Sequence, residues 1–199
     1  MKNFLGILTL ALLAYTFQPS PILAQEGEKT LSFNPESTSI TIDGTSNRDD
    51  WTVTAEQFEG FVTLNENEGE APDIIQASLV VKAQEMSGGR SSIMDRLMRD
   101  ALKAREHNDI EFNLTGVETD GNGDNFNVVT NGDLTLAGVT RTIEVPLEGT
   151  RLSNGGYQFT GSYTLNMTEY EISPPTAMFG ALVTGDEVII NFDIVADNN

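Results

Sequence analysis

Hydrophobic and polar residues alternate along most of this chain, and the alternation predicts its elements. Leu134 and Leu136 alternate with Asp133 and Thr135, and Ile143, Val145 and Leu147 alternate with Thr142, Glu144 and Pro146. A period of two gives a strand one dry face and one wet face, so these residues form two strands. The link Ala137-Gly138-Val139-Thr140 carries a glycine where a tight turn demands positive φ. The stretch from Gly132 to Leu147 therefore reads as a β-hairpin.

The same period recurs on both sides of this hairpin. Leu31, Phe33, Ile40 and Ile42 give a first strand broken at Asn34-Pro35-Glu36. Trp51, Val53 and Ala55 run on through Phe58, Phe61, Val62 and Leu64 as a second, with Gly60 placed for a bulge. Ile75, Ala77, Leu79 and Val81 make a third, and Ile110, Phe112 and Leu114 a fourth. Phe126 and Val128 lead into the hairpin; Tyr157 to Met167 and Val188 to Ile194 supply the last two strands. Asp120-Gly121-Asn122-Gly123-Asp124 has the opening of a calcium loop, but Asn125 replaces the turn glycine and Asn131 the bidentate glutamate, so it reads as a hairpin turn.

Only one segment breaks the period. From about residue 91 to 105, Ile93, Leu97, Ala101 and Leu102, with Met94 and Met98 beside them, fall at helical spacing. Ser91 or Ser92 is placed to cap this helix after Ser87-Gly88-Gly89 ends the preceding strand. The expected fold is all-β: about eight antiparallel strands closed as a barrel, with one helix inserted between the third and fourth. A β-sandwich of the same strands is the rival arrangement.

Composition narrows the function. Thirty acidic residues against eleven basic give a net charge of −19, and so acidic a chain repels nucleic acid and anionic lipid surfaces. There is no cysteine and a single histidine, His107, placed as a surface or capping residue. No G-x-S-x-G and no metal-ligand spacing occurs, so catalytic residues, a metal and a cofactor are all expected to be absent. Lys2, the apolar run from Phe4 to Tyr15, and Ala24 have the layout of a secretory signal peptide cut after Ala24. That expectation makes residues 25–199 one exported domain, periplasmic or secreted, with no integral membrane segment after signal removal.

Six of the ten basic residues outside the signal (Lys82, Arg90, Arg96, Arg99, Lys103 and Arg105) lie in or just before the helix, a local reversal of sign. The segment from Met167 to Gly180 is a loop too apolar for its position, stiffened by Pro174 and Pro175, and Ile172, Met178 and Phe179 are expected to need burial.

Three motifs carry a resemblance: Gly44-Thr45-Ser46 with Asp50-Trp51, the hairpin GDLTLAGVTR (132–141), and PPTAMFG (174–180) followed by GDEV (185–188). Together they resemble the YceI-like family across nearly the whole chain outside the signal. Asp49 stands where one branch of that family has histidine, and that histidine's role does not transfer; Asp109 stands where proline is common. Trp51 reads as a packing residue.

The resemblance implies a lipocalin-like barrel that binds a polyisoprenoid or isoprenoid quinone without catalysis. Its lining would come from Ile93, Leu97, Met98, Phe112, Leu114, Leu134, Leu136, Met167, Met178 and Phe179, with Arg96, Arg99 or Lys103 meeting an anionic head group. Partners are then an isoprenoid-type lipid and, as a possible homodimer, a second copy of the chain. A contrasting reading is an envelope stress or assembly factor with a filled core, acting through its surface. A third, an isoprenoid-modifying enzyme, would need a polar cluster buried beside the interior.

Overall fold

A computed structural model describes residues 27–66, 69–89 and 91–198. The expected signal peptide and Arg90 lie outside them. The strands are β1 (Glu28–Phe33), β2 (Ser39–Ser46), β3 (Trp51–Ala55), β4 (Phe58–Asn65), β5 (Asp73–Lys82) and β6 (Met86–Ser87). After the helix α1 (Ser92–Ala101) come β7 (Asp109–Asn122), β8 (Asn125–Leu136), β9 (Val139–Arg151), β10 (Tyr157–Asn166), β11 (Thr176–Ala177) and β12 (Leu182–Asp197).

Eight of these strands close an antiparallel barrel in the order β1-β4-β5-β7-β8-β9-β10-β12, and β12 returns to β1 through the pairs Ser32↔Asp197 and Phe33↔Ala196. The helix enters between β5 and β7. β8 shows why the chain folds this way. Phe126, Val128, Thr130, Gly132, Leu134 and Leu136 are all buried while the residues between them are more exposed. Such strict alternation gives one register that buries every apolar group, and a slip by one residue would expose them all.

β1 and β2 are one broken strand laid end to end along β12. Pro35 has no N–H to offer the ladder. The break is bridged instead by the Asn34 N–H donating to the Val195 carbonyl at 2.8 Å and the Val195 N–H donating to Thr38 Oγ1 at 3.0 Å.

Three expectations are corrected. Trp51 to Leu64 is not one strand. At Glu56-Gln57 the chain divides: β4 stays in the barrel between β1 and β5, whereas β3 folds onto β2 and takes β6 on its other edge. Gly60 is not a bulge, for it pairs regularly with Leu79, and the irregularity falls between Thr63 and Leu64. Its lack of a side chain instead makes room for the Phe33 ring, which a Cβ there would strike. The helix ends at Ala101 rather than near 105, where Lys103 turns left-handed at φ 51°.

The central hairpin turns on only two residues. Ala137 (φ 52°) and Gly138 (φ 85°) are both left-handed, the requirement of a turn whose twist matches its strands. Asp120–Asp124 lies on the β7–β8 hairpin, with Gly123 at φ 75°.

Candidate functional site

One end of the barrel is filled. Leu31, Val62, Leu64, Phe126, Val128, Tyr157, Phe159 and Ala196 form a cluster there, with Leu64 and Tyr157 fully buried. Phe126 meets Tyr157 and Phe159 edge-on, with centroids 6.1 and 6.3 Å away, and the latter two rings stack. These are favourable arrangements for aromatic quadrupoles. Gly149 lies directly beneath the Phe126 ring.

Beyond that plug the barrel is hollow. A cavity of about 340 Å³ runs between strands on every side, from Phe33, Ile74 and Phe159 above the plug to Met94, Met98, Pro175 and Thr184 at the helix end. Its size falls in the ~300–1,000 Å³ range of small-molecule sites. Its wall is almost wholly apolar. Among the described residues Asp95 is the only charged one on it, and its carboxylate is already occupied: it accepts from the Gly88 N–H at 2.9 Å and from Ser87 Oγ at 3.3 Å. Thr130, buried in the wall, donates to the Val145 carbonyl at 3.0 Å. Groups already paired demand nothing from a ligand, so this space selects for apolar matter.

Of the lining residues expected from sequence, the cavity brings together Met98, Phe112, Leu114, Leu134, Leu136 and Met167. It does not include Ile93, Leu97, Met178 or Phe179. Ile93 is 60% exposed, and Met178 and Phe179 stand in solvent at 69% and 112% relative exposure. Ile172 is buried, as its loop's apolar character implied, but Met178 and Phe179 are not.

The helix explains part of this. Asp95 and Arg99, one turn apart, are both tied towards β6, Arg99 by donating from Nε and Nη2 to the Met86 carbonyl at 3.3 and 2.9 Å. That rotation turns Ser91, Met94, Met98, Ala101 and Leu102 inward and leaves Ile93 outside. Ser91 occupies the cap position without a side-chain hydrogen bond; Asp95 fixes the helix start instead. Among the candidate head-group residues, Arg99 is thus committed to the backbone, Arg96 is exposed and Lys103 is half-buried.

Residues that sequence reasoning missed are mostly wall residues on β2, β3, β5 and β12, such as Ile40, Val53, Leu79 and Ile190. Their alternation was visible, and the same inward phase would have found them. Trp51 also lines the cavity; its Nε1–H donates to the Thr45 carbonyl at 3.0 Å while its ring covers Gly44. Asp49 lies exposed in a tight turn, its carbonyl accepting from Ser46 Oγ at 2.7 Å. His107 is exposed and packs on Gly138.

A second buried polar group stands near the cavity's helix end. Tyr170 is 1% exposed, its ring lies under the Arg141 guanidinium 5.9 Å away, and its hydroxyl has no partner among the described residues. Burial is the main force that pushes this phenol up to about 12, with Tyr163 nearby adding to it. Among the described residues no group of three or more His, Cys, Asp or Glu is placed to hold a metal. No helix of the described residues is long and apolar enough to cross a membrane.

Comparison with known proteins places this geometry. The family model of the YceI-like domain matches residues 31–196. No curated protein matches the chain. BcnA of Burkholderia cenocepacia superposes with a TM-score of 0.67 at 16% identity, over 82% of this chain and 99% of its own. A polyisoprenoid binding domain from Saccharophagus degradans, implicated in plant cell wall breakdown, gives 0.67 at 16% identity over 85% and 98%. The YceI protein of Campylobacter jejuni gives 0.56 at 14% identity over 74% and 84%.

Proposed function

This chain belongs to the YceI-like family, and from that premise we propose that it is a non-enzymatic carrier of a long apolar lipid, of polyisoprenoid or isoprenoid-quinone type, held in the barrel. The observation that carries the reading is the hollow interior: a filled core would leave no space of about 340 Å³ lined by side chains from all around the barrel. The name of the Saccharophagus degradans relative supports the choice of ligand class.

The mechanism is sequestration. A prenyl chain leaving water for this wall gains about 0.8 kcal/mol per buried methylene. Phe112, Leu114, Leu134, Leu136 and Met167 hold the chain, and Met98, long and flexible, closes over it. Arg96 and Lys103 are the cations left to meet an anionic head at the helix end. Binding needs no bond to be made or broken. Export to the periplasm or beyond, after removal of the leader at 1–24, completes the reading.

The test is native mass spectrometry with organic extraction on protein purified from its own host. A stoichiometric adduct that resolves to a prenyl chain supports carriage. A bare mass, with no uptake of added isoprenoid quinone, would turn the assignment to a surface-acting envelope factor.

A further inference from the structure

The apolar loop that was expected to bury itself does the opposite at its tip. From Ile172 to Gly185 no residue is charged, in a chain of net charge −19. Within that segment β11 pairs with the start of β12, Thr176 with Val183 and Ala177 with Leu182, so that Met178-Phe179-Gly180-Ala181 forms the tip of a small hairpin. Its base is held firmly. Asn47 binds it three times: its N–H donates to the Val183 carbonyl, its Oδ1 accepts from the Val183 N–H, and its Nδ2 donates to the Ala181 carbonyl, each at 3.0 Å.

The tip itself is strained. Met178 (φ 53°) and Phe179 (φ 56°) are consecutive left-handed residues, followed by Gly180 at φ 87°. Left-handed backbone costs a side-chain-bearing residue roughly 1–2 kcal/mol. Here the strain keeps two large apolar side chains in water, which worsens the folded state twice over. Strained backbone of this kind clusters at ligand clamps and other functional sites.

The tip's position indicates what that function is. Pro175 and Thr184, which flank the hairpin, both line the cavity, as do Met94 of α1 and Ser91 just before that helix; Ile93, 60% exposed, adjoins Met94. The exposed apolar side chains therefore border the end of the cavity opposite the aromatic plug. The charge there differs from the rest of the chain. Between Ser91 and His107, Arg96, Arg99, Lys103 and Arg105 stand against Asp95, Asp100 and Glu106, a balance of four to three. A second copy of the chain is a poor occupant, since stable protein interfaces bury roughly 800 Å² per partner and a narrow tip offers far less.

We propose that the 176–183 hairpin is a bilayer-docking finger: Phe179 and Met178, together with the exposed Ile93 and Met94 of the helix, enter the interfacial layer of a phospholipid membrane and bring the cavity mouth against it. The purpose rests on the lipid-carrier reading, because a water-insoluble chain has to be loaded from somewhere; the docking itself does not. The surface is one rich in zwitterionic lipid, since the chain's overall charge opposes a strongly anionic one.

The test compares protein expressed from the full chain with a Met178→Asn/Phe179→Asn variant, in flotation with phosphatidylethanolamine–phosphatidylcholine vesicles. Asparagine tolerates left-handed backbone, so the hairpin survives while its apolar surface is lost. Vesicle partitioning is expected to fall about tenfold or more, as binding scales with inserted apolar area. Uptake of a short prenyl alcohol offered in solution should be unchanged. In a Phe179→Trp protein, brominated lipid should quench the added indole, which reports insertion even if the double variant folds poorly.

Equal partitioning of both proteins, no vesicle binding by the wild type, or a wild-type dimer that the variant abolishes would each overturn docking. Prenyl uptake without vesicle binding would leave the carrier reading intact. Vesicle binding without prenyl uptake would do the reverse.

Discussion

If the interior is hollow at one end and packed at the other, equal truncations at the two ends should have unequal costs. Leu64 is fully buried in the aromatic plug and does not touch the cavity. Leu64→Ala removes a well-packed side chain and leaves a new void, at a cost of about 3–5 kcal/mol. Leu114 is half-buried and faces the existing cavity. Its side chain already lacks neighbours on that side, so Leu114→Ala forfeits fewer contacts and should cost about 1 kcal/mol. For a domain of this size each kcal/mol moves Tm by about 2–4 °C, so the expected drops are about 6–20 °C against about 2–4 °C. Equilibrium unfolding in urea, followed by circular dichroism and by Trp51 emission, measures both. Ligand adds a second contrast: at a hundredfold excess over Kd a bound prenyl chain should add about 2.7 kcal/mol, and Leu114→Ala should lose part of it whereas Leu64→Ala keeps it. If Leu114→Ala costs as much as Leu64→Ala, the wall is packed at Leu114 and the hollow-barrel argument fails.

Other changes probe neighbouring features. Ala77 is half-buried on the cavity wall, so Ala77→Phe should fill space, abolish the lipid adduct in native mass spectrometry, and leave stability unchanged or raised by about 0.5–2 kcal/mol. A Cβ at Gly149 would strike the Phe126 ring, so Gly149→Ala should cost about 1–3 kcal/mol in urea unfolding, and Phe126→Leu in the same chain should recover part of that loss. Tyr170 holds its proton to about 12 in the folded chain, whereas an unfolded phenol releases it near about 10, so stability present below pH 10 is lost as pH rises towards 12. Tyr170→Phe should flatten that alkaline decline and, by removing a hydroxyl without a protein partner, be neutral or stabilising by up to about 1 kcal/mol at pH 7; urea midpoints across this pH range decide it.

The parts of the structure legible in the sequence are those that a local period dictates. β8 and β10 could be read residue by residue because each has one dry face, and Ala137-Gly138 announces its turn. What escaped is set by partners far along the chain. Nothing near Gly60, Gly132 or Gly149 reveals that the rings of Phe33, Phe112 and Phe126 lie across them, since each pairing exists only once strands are in register. The division of β3 from β4 depends on which strand each finds, not on Glu56-Gln57 alone. For the site, Phe112, Leu114, Leu134, Leu136 and Met167 followed from strand phase, but the helix offered two adjacent apolar rows, 93/97 and 94/98. The ties of Asp95 to Gly88 and of Arg99 to Met86, both outside the helix, decide between them. Hydrophobicity also misled at Met178 and Phe179, where apolar character was read as a demand for burial.

The seam where β12 meets β1 has a consequence for how the molecule is made. Ring closure depends on residues 32 and 33 finding residues 197 and 196, the two ends of the domain. Neighbouring hairpins such as β8–β9 can zip as soon as their own residues emerge, but the seam must wait for the last strand. Long-range pairings of this kind are slow because the loop they close is large. Until then the nascent sheet is an open, curved sheet with two unpaired edges and an apolar inner face, so the final residues of β12 act as the latch that ends its most aggregation-prone stage.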